Sequence, residues 1–365
     1  MNIAFVLLTH NPSEPAGIER SVASLADGLR EIGHGALIVA AGPTTDADDR
    51  HLLRLTTLTL PRPIVHDRVP GLLDDPEPVC REVRRLLSDH RVDLVCWVDA
   101  VAGLGCLDPS PPGTRTALMV HFLRTDERML ESLAHRPDTV LTVSDFLIDE
   151  AHRAGLDTRD WIALPNALPR QVAAPDEVER ERLRRHGPVR TLARADPQKG
   201  ISELLRAFPD GFGRPVDIVL ASAGFEFRSG IQDGVIAQCR ELAERLPNVS
   251  ILPALPWQEV QPFLAGAAVA VLPSIRPETF GNVAAEALSV GTPVVGYGLG
   301  HLPALTGAGG RMIGLADGPE HLWRATTELL DDPEGYHAAA RQAPFQVAEH
   351  TPAAVAKAFL RATNL

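Results

Sequence analysis

PETFGNVAAEALSVGTPVV, residues 277–295, joins a glycine-opened, alanine-rich helical stretch to a buried strand and carries two carboxylates, Glu278 and Glu286. Gly281 and Asn282 mark a helix start, where the first backbone N–H groups lack intrahelical partners and attract an anion such as a diphosphate. Glu286 falls on the second turn of that helix and Glu278 in the loop before it. Carboxylates accept hydrogen bonds from vicinal hydroxyls, so the pair suits the two ends of one polyhydroxylated ligand. The same spacing also suits a solvated loop charge near a helix N-terminus and an exposed helical acid, and spacing alone does not separate these readings.

Outward from this stretch the chain alternates short apolar runs with helical periodicity. IAFVLL (3–8) is a continuous apolar run, as in a strand covered on both faces. Ile18, Val22, Leu25, Ala26, Leu29 and Ile32 then form one helical stripe that stops at Gly33. ALIVAA (36–41), DLVCWV (93–98), TALMV (116–120) and TVLTV (139–143) continue as strands, with helices predicted near 76–89 and 144–155. A second series holds strands at 189–193, 216–222, 249–253, 268–273 and 293–297. Its helices are predicted at about 201–208, 232–246, 257–266 and 282–290, with closing helices near 319–331, 334–343 and 353–363. Strand–helix alternation implies parallel sheets with right-handed crossovers. The fold class is therefore α/β, two Rossmann-like doubly wound domains facing a central cleft. Residues 1–168 form the N-terminal domain, 169–188 a linker with a short exposed helix, and 189–345 the C-terminal domain. Residues 346–365 form a C-terminal helix expected to pack back on the N-terminal domain. Ligands in such sheets bind beyond the carboxyl ends of the strands, so the residues just after each strand are the ones to inspect.

Composition narrows the partners. The 365 residues carry a formal charge of −12, which argues against a nucleic-acid backbone or a broad anionic membrane surface. The longest apolar run, residues 264–273, is about half of a membrane span. MNIAFVLLTH lacks a basic segment before its apolar residues and reads as a buried strand rather than a secretory leader, so a cytoplasmic location is expected. Cys80, Cys96, Cys106 and Cys239 show no CxxC spacing, which leaves neither a disulfide framework nor a zinc site. No strand-to-helix GxGxxG is present, since GAGGRMIG (307–314) does not fit it, and a dehydrogenase is set aside.

Four further strand ends carry candidate chemistry. TLARADPQKGISELLRAF (191–208) sets Arg194 and Lys199 five apart across a turn, where two cations can neutralise a departing diphosphate. Lys199 is one of only two lysines beside Lys357, and a compact point charge there differs from the arginines used elsewhere. HNPSEPAGIERS (10–21) places Gly17 at a helix start open to a close ligand. VHFLRTDE (120–127) puts His121 at a strand end with Arg124, Asp126 and Glu127 behind it, and Asp99 ends another strand. Each has a plainer alternative: solvated turn cations, a turn glycine, a structural histidine.

Taken together, PAGIERSVASLADGLREIGH (15–34), SDFLIDEAHRAG (144–155), IALPNAL (162–168), LARADPQKGISELLRAF (192–208) and above all LPSIRPETFGNVAAEALSVGTPVV (272–295) resemble the retaining family-4 glycosyltransferases of GT-B architecture over nearly the whole chain. The resemblance implies that Glu286 holds the nucleotide ribose and Glu278 the transferred sugar, with the backbone of Thr279, Phe280, Gly281, Asn282 and Val283 lining the donor. It implies that Arg194 and Lys199 grip the diphosphate, that His121 contacts the donor sugar near the reacting carbon, and that Gly17 lines the same cleft. The catalytic set is then His121, Arg194, Lys199 and Glu278. The donor is a UDP- or GDP-linked sugar used as co-substrate, with no cofactor and no metal. Three departures stand out: Ala16-Gly17 where Gly-Gly is frequent, PNAL (165–168) where PNG is common, and AGFEFRSG (223–230) where Gly-x-Gly-Pro is usual.

The expected reaction is transfer of a sugar with retained configuration to a soluble small-molecule acceptor, in natural-product biosynthesis. His10, Glu14, His66, Asp99 and Asp126 are the candidate acceptor contacts, since acidic and polar loops suit a cationic or polar small molecule. Alternatives are a GT-B epimerase, a non-catalytic nucleotide-sugar sensor, or an acceptor that is a cell-envelope glycolipid or polysaccharide. A phosphorylase fits less well, because Lys357 sits in the terminal helix.

Overall fold

A computed structural model describes the chain except residues 12–13, 43, 45–48, 66–68, 70–74, 100–110 and 170–171. It divides into two compact units, Met1–Arg170 with Glu349–Leu365, and Gln171–Ala348.

The first unit runs β1 (Asn2–Thr9), α1 (Gly17–Glu31), β2 (Gly35–Ala41), β3 (Leu52–Arg54), β4 (Ile64–Val65), α2 (Glu77–Asp89) and β5 (Leu94–Val98). It continues with β6 (Arg115–Val120), α3 (Glu127–Ala134), β7 (Thr139–Thr142), α4 (Asp145–Arg153) and β8 (Trp161–Ala163). Seven strands form one sheet in the order β3-β2-β1-β5-β6-β7-β8, with parallel pairs throughout. The order reverses between β1 and β5, so the chain leaves these two strands in opposite directions along the sheet and opens a crevice at their carboxyl ends. The central strands are apolar on both faces because helices cover both: Ile3 to Val6 and Leu94 to Cys96 are all buried.

The second unit holds α5 (Glu177–His186), β9 (Val189–Arg194), α6 (Ile201–Arg206), β10 (Val216–Ala221), β11 (Phe225–Glu226), α7 (Ile231–Ala243) and β12 (Val249–Leu252). After these come α8 (Trp257–Ala265), β13 (Val269–Leu272), α9 (Asn282–Ser289), β14 (Val294–Tyr297), α10 (Leu302–Thr306), β15 (Gly310–Ile313), α11 (Pro319–Asp331) and α12 (Pro333–Gln346). Its six-stranded sheet has the order β12-β10-β9-β13-β14-β15 and reverses between β9 and β13. Trp323 anchors the core under α11, edge-to-face with Phe208 at 5.3 Å and donating its indole N–H to the Leu204 carbonyl at 2.9 Å.

Several short elements have no counterpart in the sequence reading. β3, β8, β15, α3 and α10 are three to eight residues long, too short for a period of 2 or 3.6 to declare itself. The helix expected to be exposed between the domains, α5, is anchored instead. Arg180 is buried, and its guanidinium donates to the carbonyls of Ala267 at 2.9 Å and Val290 at 3.0 Å and to the Thr292 hydroxyl at 3.2 Å. A planar fork of five donors can satisfy several carbonyls at once, so the charge is accommodated in the interior.

The last helix, α13 (Pro352–Ala362), belongs to the first unit and lies on α1. Phe359 packs against Phe5 with ring centroids 5.6 Å apart, and Leu168 donates its N–H to the His350 carbonyl at 2.8 Å. Gly28 makes the approach feasible: a Cβ there would sit 2.0 Å from the Pro352 carbonyl oxygen. Gly28→Ala is therefore expected to push α13 off α1 and to destabilise the first unit by about 1–3 kcal/mol, the usual range for overpacking. Thermal melting followed by circular dichroism checks this, and an unchanged melting temperature would contradict the close contact.

Candidate functional site

The switch point of the second sheet gathers the charged residues singled out in the sequence. β9 ends at Arg194, and the chain turns through Asp196, Pro197–Lys199 and Gly200 into α6. Asp196 organises the turn: one carboxylate oxygen accepts the Gln198 N–H at 2.9 Å and the other accepts from the Arg194 guanidinium at 3.0 Å. Gly200 has φ +66°, and a Cβ on it would lie 2.0 Å from the Pro273 carbonyl oxygen. Only glycine meets both conditions without displacement. The turn thus docks on the end of β13, where Ile275 donates its N–H to the Gln198 carbonyl at 2.9 Å.

This docking brings Lys199 to Glu278. The ammonium forms an ion pair with one carboxylate oxygen, which also accepts the Ser274 hydroxyl at 2.7 Å. Burial raises the Glu278 pKa, but the Lys199 charge and hydrogen bond, the Ser274 hydroxyl and the Arg194 charge outweigh it, so the group ends below the ordinary carboxylate range. Its contribution to stability is present above that range and is lost as pH falls through the depressed value. The Glu278 backbone bridges Gly300 in parallel, and its carbonyl accepts the His301 N–H at 2.8 Å. Phe280 is buried with the His301 ring stacked on it at 5.9 Å.

Gly281 is the N-cap of α9 and supplies no side-chain acceptor to the first N–H groups of that helix, which begins Asn282-Val283. Thr279 lies in the same loop, between Glu278 and Phe280. Glu286 is 1% exposed, which removes the reading of an exposed helical acid. The turn after β9 and the loop after β13 therefore bring Arg194, Lys199 and Glu278 together beside the start of α9, on elements flanking the switch point, with Glu286 buried on the second turn of that helix.

In the first unit the strand ends hold His10, Asp99 and His121, all buried. His121 follows β6 at 3% exposure, and among the described residues neither ring nitrogen has a hydrogen-bond partner. Burial pulls its pKa down to about 4, so the imidazole is neutral at pH 7. Asp99 follows β5 with φ +64° and donates its N–H to the Met119 carbonyl at 2.7 Å. The His10 carbonyl accepts from Arg54 at 2.8 Å. Gly17 is the first residue of α1, whose N-cap, Ala16, makes no side-chain cap.

Two of the candidate acceptor contacts have local structural partners. Glu14 pairs with Arg62 and accepts from the Asn11 amide at 2.7 Å. Asp126 caps α3, accepting the Met129 N–H at 3.2 Å, and accepts from Arg124 at 2.7 Å. His66 lies outside the described residues. Among the described residues, no group of three or more His, Cys, Asp or Glu side chains is arranged to hold a metal ion.

The sequence reading passed over three residues that organise these sites. Ser274 and Asp196 brace Glu278 and Arg194, as described above. Glu19, in the first turn of α1, accepts the Thr9 hydroxyl and the Asn11 N–H, the latter at 2.6 Å, and so ties the end of β1 to α1. Burial is the main cause of its raised pKa. An acid in the first helical turn after a strand–turn–Gly is the signal that could have found it.

The pKa of His121 gives a pH dependence of defined sign. A base whose folded pKa is lowered is protonated first in the unfolded chain, so stability falls as pH drops from about 6.5 towards 4. His121→Phe should remove this part of the slope, and titration of the His121 ring by NMR should show a midpoint near the lower value. A midpoint near that of an exposed imidazole would refute the burial.

Comparison with known proteins follows the same two-part division. Residues 15–172 match the family model Glycosyltransferase Family 4, and residues 189–332 match Glycosyl transferases group 1. No curated protein matches the chain in sequence. Among solved structures, a sucrose-phosphate synthase from Thermosynechococcus elongatus superposes with a TM-score of 0.77 at 18% identity, covering 99% of this chain and 98% of its own. AviGT4, a glycosyltransferase involved in avilamycin A biosynthesis, gives 0.63 at 20% identity over 100% and 97%. Anabaena HepE in complex with UDP and glucose gives 0.73 at 16% identity over 100% and 99%. At these identities the likeness is one of fold. No helix among the described residues is long and apolar enough to cross a membrane.

Proposed function

Because this chain belongs to the family-4 glycosyltransferases of GT-B fold, we propose that it moves a sugar from a nucleoside-diphosphate donor to a small-molecule acceptor with retained anomeric configuration. The observation that carries the reading is the convergence of Arg194, Lys199 and Glu278 beside the start of α9 at the β9/β13 switch point. An anionic leaving group gains most where fixed cations and backbone N–H groups already converge, because they do not have to reorganise as its charge grows.

In this reading the bond from the anomeric carbon to the diphosphate oxygen breaks, and a bond to the acceptor heteroatom forms on the same face. The acceptor proton passes to the departing diphosphate. Arg194 and the N-terminus of α9 take the diphosphate, and Lys199 is shared between it and Glu278. Glu278 keeps acceptor capacity for sugar hydroxyls, and Glu286 takes the ribose. The neutral imidazole of His121 has one donor and one acceptor nitrogen, which suits a sugar hydroxyl. A UDP-linked donor is the first choice, supported by the UDP and glucose held in HepE. A natural-product acceptor is supported by AviGT4, whose pathway makes avilamycin A.

The direct test is thermal stabilisation by UDP, GDP, dTDP and ADP and by their sugars. A ligand at about 100 times its Kd adds roughly 2.7 kcal/mol. One nucleotide should stabilise the protein, and Glu286→Gln should lose that effect. Lys199→Ala should lower kcat on the order of 100-fold with a smaller change in KM, because leaving-group charge grows in the transition state. Stabilisation by none of the four nucleotides would overturn the reading, and binding without turnover across acceptors would favour a sensor.

A further inference from the structure

The loop AGFEFRSG, residues 223–230, departs from the pattern usual in the family, and the structure shows what it builds. It follows β10, whose Ala221 is in register with Arg194 on the neighbouring strand β9, so the loop starts beside that arginine. Two buried side chains brace it. The Gln232 amide accepts the Ala223 N–H at 2.6 Å and donates to the carbonyls of Ala223 at 3.0 Å and Phe225 at 3.1 Å. Glu226 accepts the Gly230 N–H at 2.9 Å. Between these braces Phe227 is held 37% exposed, edge-to-face with Phe225 at 6.2 Å. The Arg194 guanidinium carbon lies over the Phe227 ring, 5.3 Å from its centroid.

We propose that Phe227 is a positioning residue for Arg194, covering one face of its guanidinium so that the N–H groups in its plane are offered to the donor diphosphate. The inference rests on the assignment of Arg194 to the diphosphate. Of those N–H groups one is given to Asp196 at 3.0 Å, and among the described residues the others have no hydrogen-bond partner. An aromatic face holds a cation without supplying an in-plane acceptor, so it does not compete with the phosphate oxygens as a second carboxylate would. Arginine also carries large rotamer freedom, and fixing the side chain beforehand removes that entropy loss from donor binding.

The test compares UDP with uridine, which lacks the phosphates, by calorimetric and NMR titration. Wild type, Phe227→Ala, Phe227→Leu, Phe227→Tyr, Arg194→Ala and the Phe227→Ala/Arg194→Ala double variant are used, each checked for an unchanged melting temperature. Phe227→Ala and Phe227→Leu are expected to weaken UDP by about 3- to 10-fold, with uridine unaffected and Phe227→Tyr close to wild type. In the Arg194→Ala background Phe227→Ala should add nothing, since the two act as one unit. Wild-type UDP affinity in Phe227→Ala, or in Phe227→Leu alone, would overturn the proposal, the second because volume rather than the aromatic face would then suffice. Equal losses for UDP and uridine would overturn it in favour of base stacking. If Arg194→Ala binds UDP as wild type does, the diphosphate assignment itself falls. If wild type binds neither UDP nor GDP, the donor reading as a whole falls.

Discussion

The site in the second unit is built on one close approach, of Gly200 to the carbonyl of Pro273, which leaves no room for a Cβ. It locks the turn after β9 against the end of β13, the two strands between which the sheet changes direction. It brings together the two connections that carry Lys199 and Glu278, 79 residues apart in the chain. With it, both lie on short connections whose ends are held by parallel strands, and Asp196 and Ser274 brace Arg194 and Glu278 by one hydrogen bond each. Under the proposed transfer this arrangement is favourable, because cations fixed beforehand need no rearrangement as negative charge grows.

Burial treats the ionisable groups of the two units differently. Burial keeps His121 neutral, and among the described residues no charge offsets it, whereas Glu278 stays ionised because an ammonium and a hydroxyl stand beside it. Arg180 is accommodated deep in the second unit because carbonyls accept hydrogen bonds from its guanidinium. The neutral ring offers one donor and one acceptor nitrogen, whereas the paired carboxylate offers acceptors only. The arginine is a structural clamp that ties α5 to the ends of α8 and α9.

The two-unit α/β architecture was legible in the sequence because its signals are local. A strand covered on both faces must be a continuous apolar run, and IAFVLL and VDIVLA are such runs; a helix on one face must show a stripe, as α1 does. The glycine before Asn282 and the cations flanking a strand–turn–helix unit were equally visible, since caps and turns are read over a few residues. Short elements such as β15 and α10 were not, because four or five residues hold no period.

What only the tertiary structure decided is adjacency. Strand order places β9 next to β13, and no local pattern encodes that, since sheet neighbours are chosen by packing among segments far apart in the chain. Adjacency turned Lys199 and Glu278 from separate charges into an ion pair, and Phe227 from a loop aromatic into the cover of Arg194. It also gave Glu14 and Asp126 local partners, Arg62 and Arg124, and made Gly28 the seat of a helix more than 300 residues later. The residue types, and so the chemistry available, were present in the sequence. Which of them meet was decided by packing, which covers the apolar strands on both faces and sets buried charges such as Arg180 and Glu278 beside partners.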